Sequence, residues 1–508
     1  MSKLSKRIVF IFCLVKLSLH LLADSHSGFQ GDELLHIETG RHLAFGYQEF
    51  PPMIGLLAYI QNLFPSQSVF VHHIFAHIAS LLIFIYVAKI TFEIGGKERA
   101  IVLVLLALLI APGLGRSQQL FQPVVFSQLF WVLGFYQLIK FCKTEDRKHL
   151  LYLALLSVTG FLTKYDMLFF IAGLSALLFF TATRKALIKN KFWLLIALGL
   201  LIILPNLIWQ YQHNFPAVQM FSRLYEKHLD GISRFKNIQD LILAMNPLTL
   251  LISIPAIFYL LTNKTQRYLH PPALAILIAF SLLLLTKGKS YYFFSIVITL
   301  LPFGALFWER LMANHKKWIF YPLLLLLVLG ALLIPFGMPV TGFAYYLNNE
   351  YKYEKQETAG AKYAVKFEER YTQQRWLETL SHLKAIYDSL PASQQKNSLI
   401  WGKHYGQAGG INLFGPDFNL PAAFSLHGSF YNWLPKGEMP ATLIAFRYSK
   451  EEGKDFFEPY FEEVIPVRTM YNHYAGEEEK LYQTIFICKG PKQSFEELKE
   501  MFRERVFE

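Results

Sequence analysis

Charge is scarce in this chain of 508 residues: Asp, Glu, Lys and Arg make up 17% of it, where a soluble domain carries about 25%. So few ionised side chains cannot cover a water-facing surface of this size, which excludes a wholly soluble globule. Cysteine is scarcer still, with only Cys13, Cys142 and Cys488. Two of these fall in apolar runs and one in a polar tail, far apart in sequence, so there is neither a disulfide framework nor a CxxC metal signature. No glycine-rich phosphate fingerprint follows a strand-like run in the tail, so no nucleotide is assigned. Basic residues outnumber acidic ones by 12. They sit in short clusters between apolar runs, a placement that orients a membrane protein and does not build the basic face that nucleic acid needs. No nucleic-acid partner is expected.

Apolar and aromatic residues are abundant: 53% and 16% of the chain, with a mean hydropathy of +0.30. A membrane-spanning helix needs about 20 apolar residues. Stretches of that kind fall at 7–23, 69–92, 100–113, 124–142, 149–163, 167–183, 192–209, 241–262, 271–286, 291–309 and 317–336, which predicts about eleven transmembrane helices. One set of loops is short and basic: Lys3, Lys6 and Arg7; Lys97 and Arg99; Lys143, Arg147 and Lys148; Arg184, Lys185, Lys189 and Lys191; Lys264 and Arg267; Arg310, Lys316 and Lys317. The positive-inside bias puts these in the cytoplasm. The other set, at 24–68, 114–123, 164–166, 210–240, 287–290 and after 336, is longer or richer in Trp, Tyr, His, Pro and acidic residues and is expected to face outward. The first span is read as a retained helix, since Leu21-Leu22-Ala23 fits a signal-peptidase site poorly. Lys16 within it is expected to face the helix bundle.

After residue 336 the apolar runs shorten to strand length and charge becomes dense. An amphipathic helix is predicted over 368–389, strands at 398–401, 441–447, 464–470 and 484–488, and a last helix starting at Ser494, where Glu497 three residues on makes a capping-box pattern. The expected fold class is therefore an α-helical polytopic membrane protein, with residues 1–336 in the membrane and a C-terminal soluble α/β domain over 337–508 outside it.

The first outer loop holds Asp32 and Glu33 at the head of a helix-like stretch that ends at Pro51-Pro52. Two readings stand side by side. Acidic residues are favoured at a helix N-terminus by the dipole. An ionised carboxylate there can also serve as a general base. His36 and Arg41, one and about two turns on, are either interfacial residues or groups that orient a carboxylate or meet a phosphate.

This loop resembles that of the bacterial lipid-carrier-dependent glycosyltransferases of GT-C fold, the protein O-mannosyltransferase-like group that includes the aminoarabinose transferase of lipid A and lipopolysaccharide-core glycosyltransferases. The residues that carry the resemblance are Asp32-Glu33-Leu34, Gly40 through Tyr47 and Pro51-Pro52. Similar motifs follow at Gly160 to Tyr165, at Pro205 to Trp209 with Gln212 to Pro216, at Gly288 to Tyr292, at Tyr405 to Gly409 with Phe414 to Pro416, and around His427 and Trp433. The resemblance implies a GT-C membrane core, an outward active site, a sugar donor on polyprenyl phosphate, and catalysis by Asp32, with Glu33 as a second choice. One departure stands out: the family's acidic residue near the membrane is replaced by Gln118 and Gln119 in the stretch Arg116–Pro123. A metal bridged by two carboxylates therefore has no second ligand there; no metal-binding residue and no cofactor is assigned, although a divalent metal is compatible with the chemistry.

The side assigned from Lys and Arg counts puts Asp32, Arg116, Lys164, His213, Lys287, Lys289, Tyr291 and Tyr292 on one outer face. A phosphodiester-linked donor asks for cations at the headgroup plane; Lys287 and Lys289 flank Gly288, and Arg116, Lys164, Tyr291 and Tyr292 complete the candidate phosphate-binding group. Simpler roles stand beside these: snorkelling for the lysines, an ion pair with Asp166 for Lys164, belt anchoring for the tyrosines and a surface position for His213. The expected activity is glycosyl transfer, with inversion, from polyprenyl-phosphate sugar to a glycolipid, glycan or protein hydroxyl, in the bacterial inner membrane with the C-terminal domain periplasmic and membrane lipids around the spans. A transporter or flippase of lipid-linked sugars, which would show an internal hydropathy repeat, and a polysaccharide ligase or polymerase are the alternatives.

Overall fold

A computed structural model of the chain describes residues 1–226, 233–263, 265–313, 317–355 and 357–507. Lys264, Lys316 and positions 227–232 of the expected outer loop lie outside the described residues. Contacts divide the chain into two compact units. The first comprises residues 1–22, 50–53 and 73–340, and the second residues 23–49, 54–72 and 341–508.

The first unit is helical because a chain in lipid must satisfy its backbone groups within each segment. Six of its helices are long and apolar enough to cross a membrane: Val69–Glu93, Pro123–Thr144, Phe192–Gln212, Arg267–Leu285, Ser290–Ala313 and Lys317–Phe336. Three further pairs qualify only together, each broken by a sharp bend: Glu98–Leu109 with Pro112–Gln119 (70°), Met167–Phe179 with Thr181–Lys189 (105°), and Arg234–Ala244 with Pro247–Thr262 (93°). Pro112 and Pro247 open the second halves of two of these pairs, where the missing N–H and fixed φ suit a helix start and not a continuation. Helices also stand at Lys3–Asp24 and Arg147–Phe161, so every one of the eleven expected stretches is helical. The described residues support six to nine spans by length and composition, and the number eleven does not follow from them. Lys3–Asp24 carries five charged side chains and Arg147–Phe161 has only 15 residues.

Packing in this unit separates lipid-facing from protein-facing sides. Phe135, Phe141, Phe303 and Leu103 are fully enclosed, whereas Leu201, Leu261 and Leu332 are 65, 80 and 73% exposed. Exposed leucines on such apolar helices mark faces for acyl chains, since in water they would be a large apolar patch. Lys16 is 1% exposed, its Nζ 5.6 Å from the Phe84 ring. It faces the bundle, as expected from its cost in lipid.

The second unit builds one mixed sheet from β1 (Ile400–Gly402), β2 (Ala423–Phe424), β3 (Thr442–Arg447), β4 (Phe461–Tyr471) and β5 (Tyr482–Pro491), in the order β2-β1-β3-β5-β4. β1 pairs parallel with β2 and β3, and β5 pairs antiparallel with β3 and β4. Its helices include α1 (Gly31–Thr39), α2 (Thr372–Ser389), α3 (Tyr405–Phe414) and α4 (Phe495–Met501). The Ser494–Glu497 capping box is present, with Ser494 Oγ accepting the Glu497 N–H. A core of Trp401, Leu443, Phe457, Phe486 and Phe495 lies beneath the sheet. Four strands and two helices match the sequence expectation; the two-residue β2 had no pattern long enough to read. The first-loop helix α1 belongs to this unit and not to the membrane unit.

Candidate active site

α1 is a nine-residue helix, buried from Glu33 to Thr39, whose start is fixed by Glu33: its Oε2 accepts the Gln30 N–H at 2.9 Å. Glu33, the second acid that the family resemblance offers, is fully buried, with one carboxylate oxygen at the cap. Asp32, one residue earlier, is only half-buried and points its Oδ1 to the Tyr405 hydroxyl, which donates to it at 2.7 Å. The residues that bring these groups together are glycines. A Cβ at Gly406 would lie 3.0 Å from the Gly31 carbonyl oxygen, and one at Gly409 would lie 2.8 Å from that of Leu34. Side chains at either position would force α3 away from α1 and carry Tyr405 off Asp32.

Around Tyr405 the polar groups are tightly stacked. The His427 ring lies 4.8 Å from it and the His404 ring 4.0 Å. His404 Nδ1 accepts the Gly406 N–H at 3.1 Å, which keeps that imidazole neutral; burial pushes its pKa down to about 3. Burial and the Asp32 charge push the Tyr405 hydroxyl well above its ordinary range, so it stays a proton donor to the carboxylate at neutral pH. Glu49 is a second acid in this neighbourhood. It accepts the Ser429 N–H at 2.9 Å and the Ser429 hydroxyl at 2.5 Å. Burial raises its pKa to about 7 against those bonds, with the Asp32 charge adding to the rise. Two carboxylates with different environments are the arrangement that separates acid from base roles.

Asp32 and Tyr405 line a cavity of about 950 Å³ in this unit. Its walls also carry Glu368, whose Oε1 accepts the Gly31 N–H at 2.9 Å and whose Oε2 pairs with Lys480 at 3.2 Å. His36 and Arg41 take no part in it. His36 is buried in α1, and Arg41 is held by Glu38 at 3.1 Å and donates to the Asn412 carbonyl at 3.3 Å.

The expected phosphate-binding residues fall in the other unit and form one partial cluster. Lys164 pairs with Asp166 at 2.9 Å and sits 4.1 Å over the Tyr292 ring and 5.6 Å over that of Tyr291. Asp166 also accepts the Ser127 hydroxyl at 2.8 Å. The simple ion pair and the convergence with the tyrosines are therefore both present. Lys287 has a left-handed backbone (φ 51°) and lies 5.7 Å from the Tyr225 ring. Lys289 is half-buried, and the Gly288 carbonyl between the two lysines accepts Asn237 Nδ2 at 2.8 Å. Arg116 lies on the short helix Pro112–Gln119. His213 ends its helix stacked on Trp209 at 4.0 Å, with Nδ1 2.8 Å from the Trp209 carbonyl. Gln118 and Gln119, which replace the expected acid, are buried. Gln119 Oε1 meets His20 Nδ1 at 2.5 Å, and Gln118 donates to Gln128 at 3.0 Å. A neutral amide satisfies these partners without burying a charge.

Glu49, His404 and Lys480 were not singled out from the sequence, and Tyr405 entered only as part of a motif. The Asp32–Tyr405 bond joins residues 373 positions apart, a pairing that no local spacing signals.

Apolar helices long enough to cross a membrane in one unit, together with an α/β unit that holds a carboxylate at the wall of a polar cavity, define a multi-pass membrane protein with a candidate site in its α/β unit. Residues 49–209 match the family described as dolichyl-phosphate-mannose-protein mannosyltransferase. The fold is similar to that of ArnT from Cupriavidus metallidurans, in a structure bound to undecaprenyl phosphate (13% identity, TM-score 0.59) and in the apo state (13%, 0.57); each likeness covers 94% of this chain and 97% of that one. No curated protein matches the chain in sequence. The family match covers the first loop's end through the seventh expected span, and the likeness of fold extends over nearly all the rest of the chain.

Proposed function

We propose that the chain transfers a sugar from a polyprenyl-phosphate carrier to an acceptor hydroxyl on the periplasmic face of a bacterial inner membrane, with Asp32 as the catalytic base. The observation that carries this is the Asp32 carboxylate, ionisable and half-exposed at a cavity wall, oriented by the Tyr405 hydroxyl at 2.7 Å. Asp32 takes the acceptor proton as the acceptor oxygen attacks C1. The C1–O bond to phosphate breaks on the opposite face, so configuration inverts and the carrier leaves as its phosphate. The logic is that of inverting glycosidases with the acceptor in place of water. Tyr405 fixes the carboxylate without itself titrating, and Glu33 serves the helix cap.

A lipid-borne donor is supported by the apolar exposed spans and by the undecaprenyl phosphate bound in the structure of ArnT. Lys164 over Tyr291 and Tyr292, with Lys287, Lys289 and Arg116, are the proposed cations for its phosphate. Such groups stabilise charge that grows on the departing phosphate. The side of the membrane follows from the Lys and Arg bias of the loops.

The test is Asp32→Asn in purified enzyme given a panel of polyprenyl-phosphate sugars, scoring release of carrier phosphate in the presence of acceptor membranes. Asn keeps an oxygen for the Tyr405 hydroxyl, so folding is retained. Turnover is expected to fall by about 10² or more, the scale of general-base catalysis. Activity within a few-fold of wild type would remove Asp32 from the mechanism.

A further inference from the structure

The cavity that Asp32 opens onto says more about the acceptor than the catalytic carboxylate does. Its volume, about 950 Å³, is at the top of the range that encloses a drug-sized ligand and well beyond the needs of one sugar ring. Aromatic faces recur on its walls: Tyr371, Trp376, Tyr405, Tyr448 and Tyr482. Aliphatic lining is confined to Leu34, Ala359 and Leu481, with Phe29 as a further apolar side chain. The charges nearly balance: five cationic side chains (Arg375, Lys403, Arg447, Lys450, Lys480) face six carboxylates that include Asp32 and Glu368. A polyanion has no net attraction to such a wall.

The polar lining adds a second observation. Asn472, Gln483, Tyr448 and Lys450 bring amide, hydroxyl and ammonium donors to the wall, which suits an occupant rich in acceptor oxygens. Planar faces, paired donors and acceptors such as Lys480 with Glu368 at 3.2 Å, and little aliphatic surface together suit a polyhydroxylated chain. Each pyranose offers an apolar face of C–H groups to an aromatic ring and hydroxyls to the groups between.

We infer that this cavity is the acceptor subsite and that its occupant is a neutral or charge-balanced glycan of several sugars, seated with one hydroxyl at Asp32. The inference rests on the role proposed above for Asp32. It selects a glycan over a protein hydroxyl and over a lipid-A-like headgroup carrying phosphates as the acceptor.

The experiment uses the full chain in lipid nanodiscs. The probes are oligosaccharides released from the envelope glycolipids of the producing cells and fractionated by length, the corresponding monosaccharides, a Ser/Thr-rich peptide, and polyprenyl phosphate. Affinity is read by calorimetry. Oligosaccharides of about three or more sugars are expected to bind at least tenfold tighter than monosaccharides. Ala359→Trp, at an exposed lining position, and Tyr482→Ala are each expected to weaken that binding about tenfold, at thermal midpoints near that of wild type. Should Ala359→Trp fail to fold, Tyr482→Ala carries the comparison. Unchanged oligosaccharide affinity in the folded variants, preferential binding of the peptide, or loss of polyprenyl-phosphate binding in place of glycan binding would each overturn the inference. Glycan binding that persists while Asp32→Asn retains full turnover would instead sink the catalytic assignment and leave the subsite standing.

Discussion

Replacing Gly409 by alanine tests whether the close crossing of α1 and α3 is what arms Asp32. The new Cβ would stand 2.8 Å from the Leu34 carbonyl oxygen and 2.9 Å from its carbon, against an ordinary contact of 3.4 Å or more. The obstacle is the Leu34 backbone, which cannot rotate aside, so the helices must part by about 0.6 Å. Overpacking of this kind costs about 1–3 kcal/mol. Parting the helices also stretches the 2.7 Å bond from Tyr405 to Asp32, and a hydrogen bond to a charged group contributes about 1.5–3 kcal/mol. Alanine's better helix propensity returns about 1 kcal/mol. The balance is a destabilisation of about 1.5–5 kcal/mol, which corresponds to a midpoint lowered by several degrees in a unit of this size. Turnover is expected to fall about tenfold or more as the carboxylate loses its alignment. The assay is tryptophan fluorescence on heating, paired with release of carrier phosphate. Gly415→Ala is the control, because its Cβ meets the Ile411 and Leu420 side chains at 3.3 and 3.4 Å and not backbone. A Gly409→Ala enzyme that melts and turns over like wild type would refute the claim that this crossing positions the base.

Lys164→Gln removes the cation that lies over Tyr292 and pairs with Asp166; donor KM is expected to rise about tenfold, with Lys164→Arg recovering most of the loss, as expected of a charge that meets phosphate. Equal effects of both substitutions on the midpoint and none on KM would make the pair purely structural. Glu49 gives a pH signature. Its folded pKa, about 7, lies above the ordinary 4.5, so the folded state holds the proton more tightly than the unfolded one. The stability this group contributes is full below pH 4.5 and is lost as pH rises toward 7, by up to about 3 kcal/mol. Glu49→Gln is therefore expected to lose less stability than wild type between those values in denaturant titrations, and parallel curves for the two proteins would show that Glu49 is not buried in its acid form. His404, whose folded pKa is near 3, slopes the other way below pH 6.5 and is common to both proteins.

Several features were legible in the residue order alone because they rest on local physics. Apolar runs of spanning length had to become helices, since lipid offers no partner for a free backbone group. Ser494 and Glu497 announced the last helix through a cap that needs only three residues' spacing. Lys16 was placed toward the bundle because a lysine against acyl chains costs too much, and its 1% exposure agrees. Asp32 stood out by its place at the head of the first loop and by the motif around it. The resemblance also placed Gln118 and Gln119 where an acid was expected.

Tertiary structure decided what spacing cannot encode. It distinguished Asp32, bonded by Tyr405, from Glu33, which accepts the Gln30 N–H at the helix cap, although the two are neighbours in sequence. It assigned the first-loop helix to the same compact unit as the tail's sheet, and it gathered Glu49, Ser429, His404 and His427 around them. The sharp bends at Pro112 and Pro247 turned apparent single spans into pairs. The physical reason is common to all of these. Helix formation and membrane insertion depend on periods of a few residues, which a chain displays openly. The candidate site depends on close approach between distant segments, here permitted by the bare backbone of Gly406 and Gly409, and only the packed molecule shows which glycines are used in this way.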